Sequence, residues 1–202
     1  MRTRMLATVA VTAALAAGCG TTTQQSDHPT DHRERSSKDM KPAGGMSMAG
    51  MKMDAGASQG KPSGAAAMIC SAETAAAVRR TFQLGALPQK QAMWMPPVYG
   101  CTWALPHGSL DLAVDHAADR VQARLRFEEM KAAIPDAQTL RGMASFGLPA
   151  FESSSGMVVF LKDGKVLSAD ARRVPGRDLP QGFSREDVAY GVASAVIACW
   201  SE

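Results

Sequence analysis

Five methionines, Met40, Met46, Met48, Met51 and Met53, fall within fourteen residues of one another. A thioether is a soft, neutral ligand that needs no deprotonation, and soft donors favour Cu(I) over harder divalent ions. Met46 with Met48 and Met51 with Met53 form two Met-x-Met pairs, so three or four sulfurs on a flexible chain could wrap one ion. Low-complexity drift is the competing explanation, and both stay open. His28 and His32, flanked by Asp27 and Asp31, offer imidazoles suited to Cu(II) or Zn(II), although polar filler is the plainer reading of them. Further on, His107 falls in a turn and His116 follows a strand with Asp115 and Asp119 close in sequence; both are read as solvated surface. Met93, Trp94 and Met95 are either a cap over the core or an exposed lip of soft ligands and an aromatic ring, with the cap preferred. The chain has no Gly-x-Ser-x-Gly, His-Glu-x-x-His, phosphate-binding loop or Cys-x-x-Cys, and catalysis is not expected.

The elements that position these groups begin with an address. Arg2 and Arg4 precede an apolar run, Met5 to Ala17, that is too short to span a bilayer; Leu15, Ala16, Ala17 and Gly18 then lead to Cys19. This order resembles the lipobox signal of bacterial lipoproteins, which implies cleavage after residue 18, acylation of Cys19 and an extracytoplasmic, lipid-anchored protein. One acyl chain binds membrane marginally, whereas two or three hold stably. The chain carries 22 basic and 19 acidic residues, and loss of Arg2 and Arg4 leaves 20 against 19. Such a balance argues against nucleic-acid binding.

From Gly20 to Ser63 there is no Val, Ile, Leu, Phe, Tyr, Trp or Cys. A segment without these cannot bury enough apolar surface to offset the entropy of ordering, so residues 19–63 are expected to be a lipidated, disordered tether with an end-to-end distance of roughly 35 to 40 Å. The Met-x-Met spacing within it resembles the methionine-rich segments of bacterial extracytoplasmic copper proteins, which implies Cu(I) as its ligand.

Residues 64–202 have the length of one domain. Ser71 caps a helix over Ala72–Phe82, with Gly85 as its stop; Leu84–Pro97, marked by Pro88, Pro96 and Pro97, is expected to be irregular. Tyr99, Cys101 and Trp103 alternate on one strand and Leu110, Leu112 and Val114 on the next, joined by a turn at Pro106, His107 and Gly108 into a hairpin with one buried face. A helix from Asp115 or Ala117 to Ala133 is expected to bury Val121, Leu125, Met130 and Phe127. A second hairpin spans Met157–Arg172 and turns at Asp163 and Gly164, a type I′ pair; its first strand, apolar from Met157 to Leu161, belongs inside the sheet. The last helix starts at Ser184, with Asp187 completing an acidic capping box and Val188, Val192, Ala195 and Cys199 on one stripe. The expected class is α+β, with an antiparallel sheet of about four or five strands packed by two or three helices.

Cys70 at a helix start, Tyr99–Trp103 around Cys101, the Gly142–Phe151 run, the Lys162-Asp163-Gly164 turn and the closing Cys199-Trp200 together resemble a group of actinobacterial envelope lipoproteins of unknown function. The resemblance implies an α+β sheet packed by helices and carries no catalytic residue. With Cys19 lipidated, three cysteines remain in an oxidising compartment, which allows one bridge and leaves one thiol. The resemblance implies Cys70–Cys101, worth about 3 to 4 kcal/mol of loop entropy, with Cys199 as a packed thiol; a Cys70–Cys199 bridge stays open. Two functions are carried forward. One is a non-enzymatic, anchored, monomeric lipoprotein whose tether binds or buffers Cu(I); the other is an envelope interaction or small-solute module in which the methionines are incidental.

Overall fold

Alternation at Leu110–Val114 calls for a strand with one buried face. In the computed structural model, which describes residues 61–200, that strand lies inside a seven-stranded antiparallel sheet. Its strands are β1 (Lys90–Met95), β2 (Val98–Ala104), β3 (Ser109–His116), β4 (Gln138–Thr139), β5 (Ala150–Ser153), β6 (Met157–Lys162) and β7 (Lys165–Asp170), in the spatial order β1-β2-β3-β7-β6-β5-β4. The helices are α1 (Gly64–Ala67), α2 (Ala72–Thr81), α3 (Arg120–Ala133) and α4 (Arg185–Cys199). The α+β class is as expected. The sheet exceeds four or five strands because, besides the four of the two expected hairpins (β2, β3, β6 and β7), three further segments pair.

One of these is β1, inside the stretch expected to be irregular. Its residues Lys90, Ala92 and Trp94 lie on one face and Gln91, Met93 and Met95 on the other, so polar and apolar types mix on both faces and the period is hidden. Pairing with β2 alone makes it an edge strand, in register from Lys90 with Trp103 to Met95 with Val98. The other two are β5, which pairs with β6, and the two-residue β4, which pairs with Phe151 and Glu152 of β5.

Register sorts the sheet into two faces. Cys101, Trp103, Leu110, Leu112, Val114, Val158, Phe160, Leu167 and Ala169 share the face that carries the larger core, covered by α2 and by α4, which lies on β5, β6 and β7. Trp103 is fully buried, and its indole N–H donates to the Ile69 carbonyl at 3.1 Å. A disulfide joins Cys70 to Cys101 with Cα atoms 5.6 Å apart, which fastens the short turn Met68–Cys70 to β2, and Lys90 Nζ donates to the Cys70 carbonyl.

On the opposite face α3 covers β6 and β7, where Phe127 meets Phe151 edge-on at 5.3 Å beside Met157, Val159 and Val166. This helix starts later than expected, because Asp119 is its N-cap and accepts from the Gln122 N–H at 2.8 Å. Its inner stripe is Ala123, Phe127 and, half-buried, Met130. Val121 and Leu125, expected inside, are 68% and 49% exposed. The helix meets the sheet along one narrow line, and residues two positions from Ala123 and Phe127 turn away from it.

The capping box at α4 is present: Ser184 Oγ accepts from the Asp187 N–H at 3.1 Å and the Asp187 carboxylate accepts from the Ser184 N–H at 2.7 Å. Val188, Ala189, Val192, Ala193, Val196 and Ile197 are its buried residues, whereas Ala195 and Cys199, expected on that stripe, are half-buried. Contact with α2 on one side and the sheet on the other centres the stripe on Val188, Val192 and Val196. The β6–β7 turn has Asp163 and Gly164 at φ of 51° and 71°, the type I′ pair read from the sequence. At the end of α2, the left-handed residue is Gln83, not Gly85.

Candidate functional site

Cys19 and Met40, Met46, Met48, Met51 and Met53, with His28 and His32, lie outside the described residues. Cys70 and Cys101 form the bridge that the resemblance implies. No described cysteine is free, Cys199 included, so the expected leftover thiol is not found there. Among the described residues, no group of three or more His, Cys, Asp and Glu side chains is placed to hold a metal ion.

The two later histidines part company. His107 pins the β2–β3 turn to the loop before α4: its Nδ1 lies 2.6 Å from Asp178 Oδ1, and its backbone N–H donates to Oδ2 at 2.8 Å. Burial pushes the Asp178 carboxyl up, but the hydrogen bonds and charge of His107, with Arg177, together hold it below its ordinary value. This is a structural clasp. His116, by contrast, ends β3 and turns its ring edge toward Trp94, with centroids 5.6 Å apart.

Trp94 is where the core-or-lip alternative resolves, and each option holds for part of the segment. Its ring faces the core side, 6.3 Å from Tyr99, and is half-buried. Met93 and Met95 point from the other face and are 55% and 58% exposed. Alternation along a strand forces this split.

Three connections meet at this end of the sheet: the β1–β2 turn with a cis Pro96–Pro97 bond, the loop from β3 to α3, and the β6–β7 turn. Between them is a pocket of about 810 Å³, lined among others by Trp94, Asp115, His116, Arg120, Arg126 and Lys165, with Lys61 and Ser63 from the segment before α1. The volume lies within the range of small-molecule sites, about 300 to 1,000 Å³.

Two lining groups are out of balance. The Trp94 indole N–H and Asp115 Oδ1 are both shielded from solvent and both without a hydrogen-bond partner. Buried polar atoms are nearly always paired; these two lie on opposite faces of the sheet, Trp94 in line with Tyr99 and Val114, and Asp115 in line with Val98 and Val166. Burial raises the Asp115 carboxyl above its ordinary value, with the charges of Arg126 and His116 opposing; the Arg126 Nε is 4.0 Å from Oδ2, too far for a hydrogen bond. Asp119 is engaged at the start of α3. The pocket thus has a partly buried carboxylate, an aromatic ring and cationic side chains among its lining groups.

Sequence reasoning placed Asp115 beside His116 but did not join them to Trp94, Arg120 or Arg126. Only the sheet register and the entry of α3 bring these together, and no short motif encodes that. No family model, curated protein or solved structure matches this chain.

Proposed function

We propose that this chain is an extracytoplasmic, lipid-anchored binding protein, without catalytic activity, whose folded domain holds a small solute in the pocket between the β1–β2 turn, the start of α3 and the β6–β7 turn. The observation that carries this reading is the pocket itself, about 810 Å³, with an aromatic ring, a partly buried carboxylate and cationic side chains among its lining groups. The test is a thermal-shift screen of a metabolite library against the full mature chain, with each hit repeated on Trp94→Ala. Stabilisation that vanishes in the variant supports the reading. A library without hits, or hits indifferent to Trp94, would sink it.

The anchor rests on the Arg2–Cys19 pattern. Mass spectrometry of N-terminal peptides tests it: an acylated Cys19 as the first residue supports the anchor, and an unmodified Cys19 overturns it.

A second reading is Cu(I) binding by Met40, Met46, Met48, Met51 and Met53. What supports it is the Met-x-Met spacing at Met46, Met48, Met51 and Met53 and the preference of thioether donors for Cu(I). Its test is competition against a Cu(I) chelator with the full chain, Met46, Met48, Met51 and Met53 all changed to Leu. An unchanged affinity removes the tether from the site.

A further inference from the structure

β1 leaves one edge of the sheet open. Among the described residues it has β2 on one side and no neighbour on the other, whereas the opposite edge is the two-residue β4, short enough to discourage pairing. Hydrogen bonds in an antiparallel pair alternate along each strand. The Ala104 N–H donates to the Gln89 carbonyl at 2.9 Å. In the register of Lys90 with Trp103, the backbone groups of Gln91, Met93 and Met95 therefore face β2, and those of Lys90, Ala92 and Trp94 face outward. The bond from the His116 N–H to the Pro97 carbonyl gives β2 the matching phase.

Open edges are ordinarily guarded by charge, a bulge or a proline inside the strand. Residues 91–95 carry no charge and no proline, and every β1 residue except Trp94 is exposed. The single charge, Lys90, is drawn back over its own sheet: its Nζ donates to the Cys70 carbonyl and lies 5.9 Å from the centroid of the Trp103 ring.

The edge is symmetric about Ala92 in the features that govern pairing. Lys90 and Trp94 stand two positions to either side, and Pro88 and Pro96 four. Antiparallel pairing of two β1 strands about a two-fold axis at Ala92 sets Ala92 against Ala92, Lys90 against Trp94 and Pro88 against Pro96 of the other copy. All three outward residues of each strand then exchange backbone bonds, no like charges meet, and the prolines, which have no N–H, fall where the ladder ends. Moving the axis by one residue either way sets Trp94 or Lys90 against a proline and leaves its carbonyl without a donor.

We infer that this edge is an interface for a second copy of the chain, joined β1 to β1 into one continuous sheet. Pairing consumes both open edges and leaves β4 at either end, so assembly stops at the dimer. A ladder this short buries less than the roughly 1,200 Å² of a standard interface, and association is correspondingly weak. The inference is independent of the pocket.

Sedimentation equilibrium from micromolar to millimolar concentration tests it, on the full mature chain expressed from residue 19 without its leader, so that no lipid is attached. A monomer–dimer equilibrium without larger species is expected. Ala92→Lys and Ala92→Glu each place two like charges face to face at the axis and should weaken the dimer by about 3-fold or more. An equimolar mixture of the two should associate more tightly than either alone, because residue 92 meets its own copy. Ala92 is exposed, so both variants should melt as the parent does. A chain monomeric at every concentration, the state expected from the sequence, overturns the inference, as do association unmoved by both substitutions and a mixture no tighter than the single variants.

Discussion

Asp115→Asn is expected to stabilise the protein while impairing the pocket. The Asp115 side chain keeps about a fifth of its exposure, 21%, and its nearer cation is Arg126 at 4.0 Å from the other oxygen. An unpartnered buried polar group costs about 1 to 3 kcal/mol, more when it is charged. The amide keeps one oxygen, exchanges the other for an NH2 group that can turn to the more exposed side, and removes the charge; Arg126 already offsets part of that charge, so a gain of about 0.5 to 1.5 kcal/mol is expected. For a domain of this size that raises the melting temperature by roughly 2 to 5 °C. The pH dependence fixes the cause. Burial raises the carboxyl in the folded state, so the carboxylate destabilises the fold above that folded-state value, and the cost is absent below the unfolded value of about 3.9. The variant's advantage should therefore be full at pH 7 and shrink as the pH falls toward 4. Urea unfolding of both proteins at a series of pH values measures it. An Asn variant less stable than the parent at pH 7 would refute the reasoning, because the attraction of Arg126 and His116 would then outweigh burial.

Three further outcomes are expected. Replacing Cys70 and Cys101 together by Ser opens a loop with a sequence separation of 31 and should cost about 3.7 kcal/mol in the chain-entropy model, read as a lower urea midpoint; a loss under about 1 kcal/mol would mean the turn Met68–Cys70 is held mainly by Ile69 and Trp103. Asp178→Ala should cost about 1 to 2 kcal/mol at pH 7, since His107 is half-exposed. Because the Asp178 carboxyl is held below its ordinary value, this stabilisation is present above about 3.9 and is lost as the pH falls through the folded-state value, so parent and variant should converge in acid melts. Gly156→Ala should destabilise by more than 1 kcal/mol in chemical denaturation, since φ is 105° and an added Cβ would lie 2.5 Å from Arg185 Cβ at the start of α4.

What could be read from the chain beforehand was whatever is encoded within a few residues. The Ser184–Asp187 capping box, the Asp163-Gly164 turn and the alternation of β2 and β3 are local, and each is found where the types demand it. The inner face of α3 was misjudged because Val121 and Leu125 fit a helical stripe as well as Ala123 and Phe127 do; only the position of Phe151 and Val159 across the sheet chooses between them. β1 escaped notice because an edge strand need not sort its residues by polarity. The pocket escaped for another reason: Lys61, Trp94, Asp115, Arg126 and Gly164 come from five separate stretches, and their meeting depends on a strand order in which β3 pairs with β7 rather than with its successor in sequence.

The disulfide also has a mechanical meaning. Cys70 lies just before α2 in the chain and is covalently joined to β2 in the body of the sheet. Tension applied from the N-terminal side reaches this bond before it reaches α2, so the load passes into β2 in shear, against its ladders with β1 and β3, and does not unzip the helices one turn at a time. Reduction of the bridge would move the point of attack to α2 and lower the pulling force at which the globule comes apart.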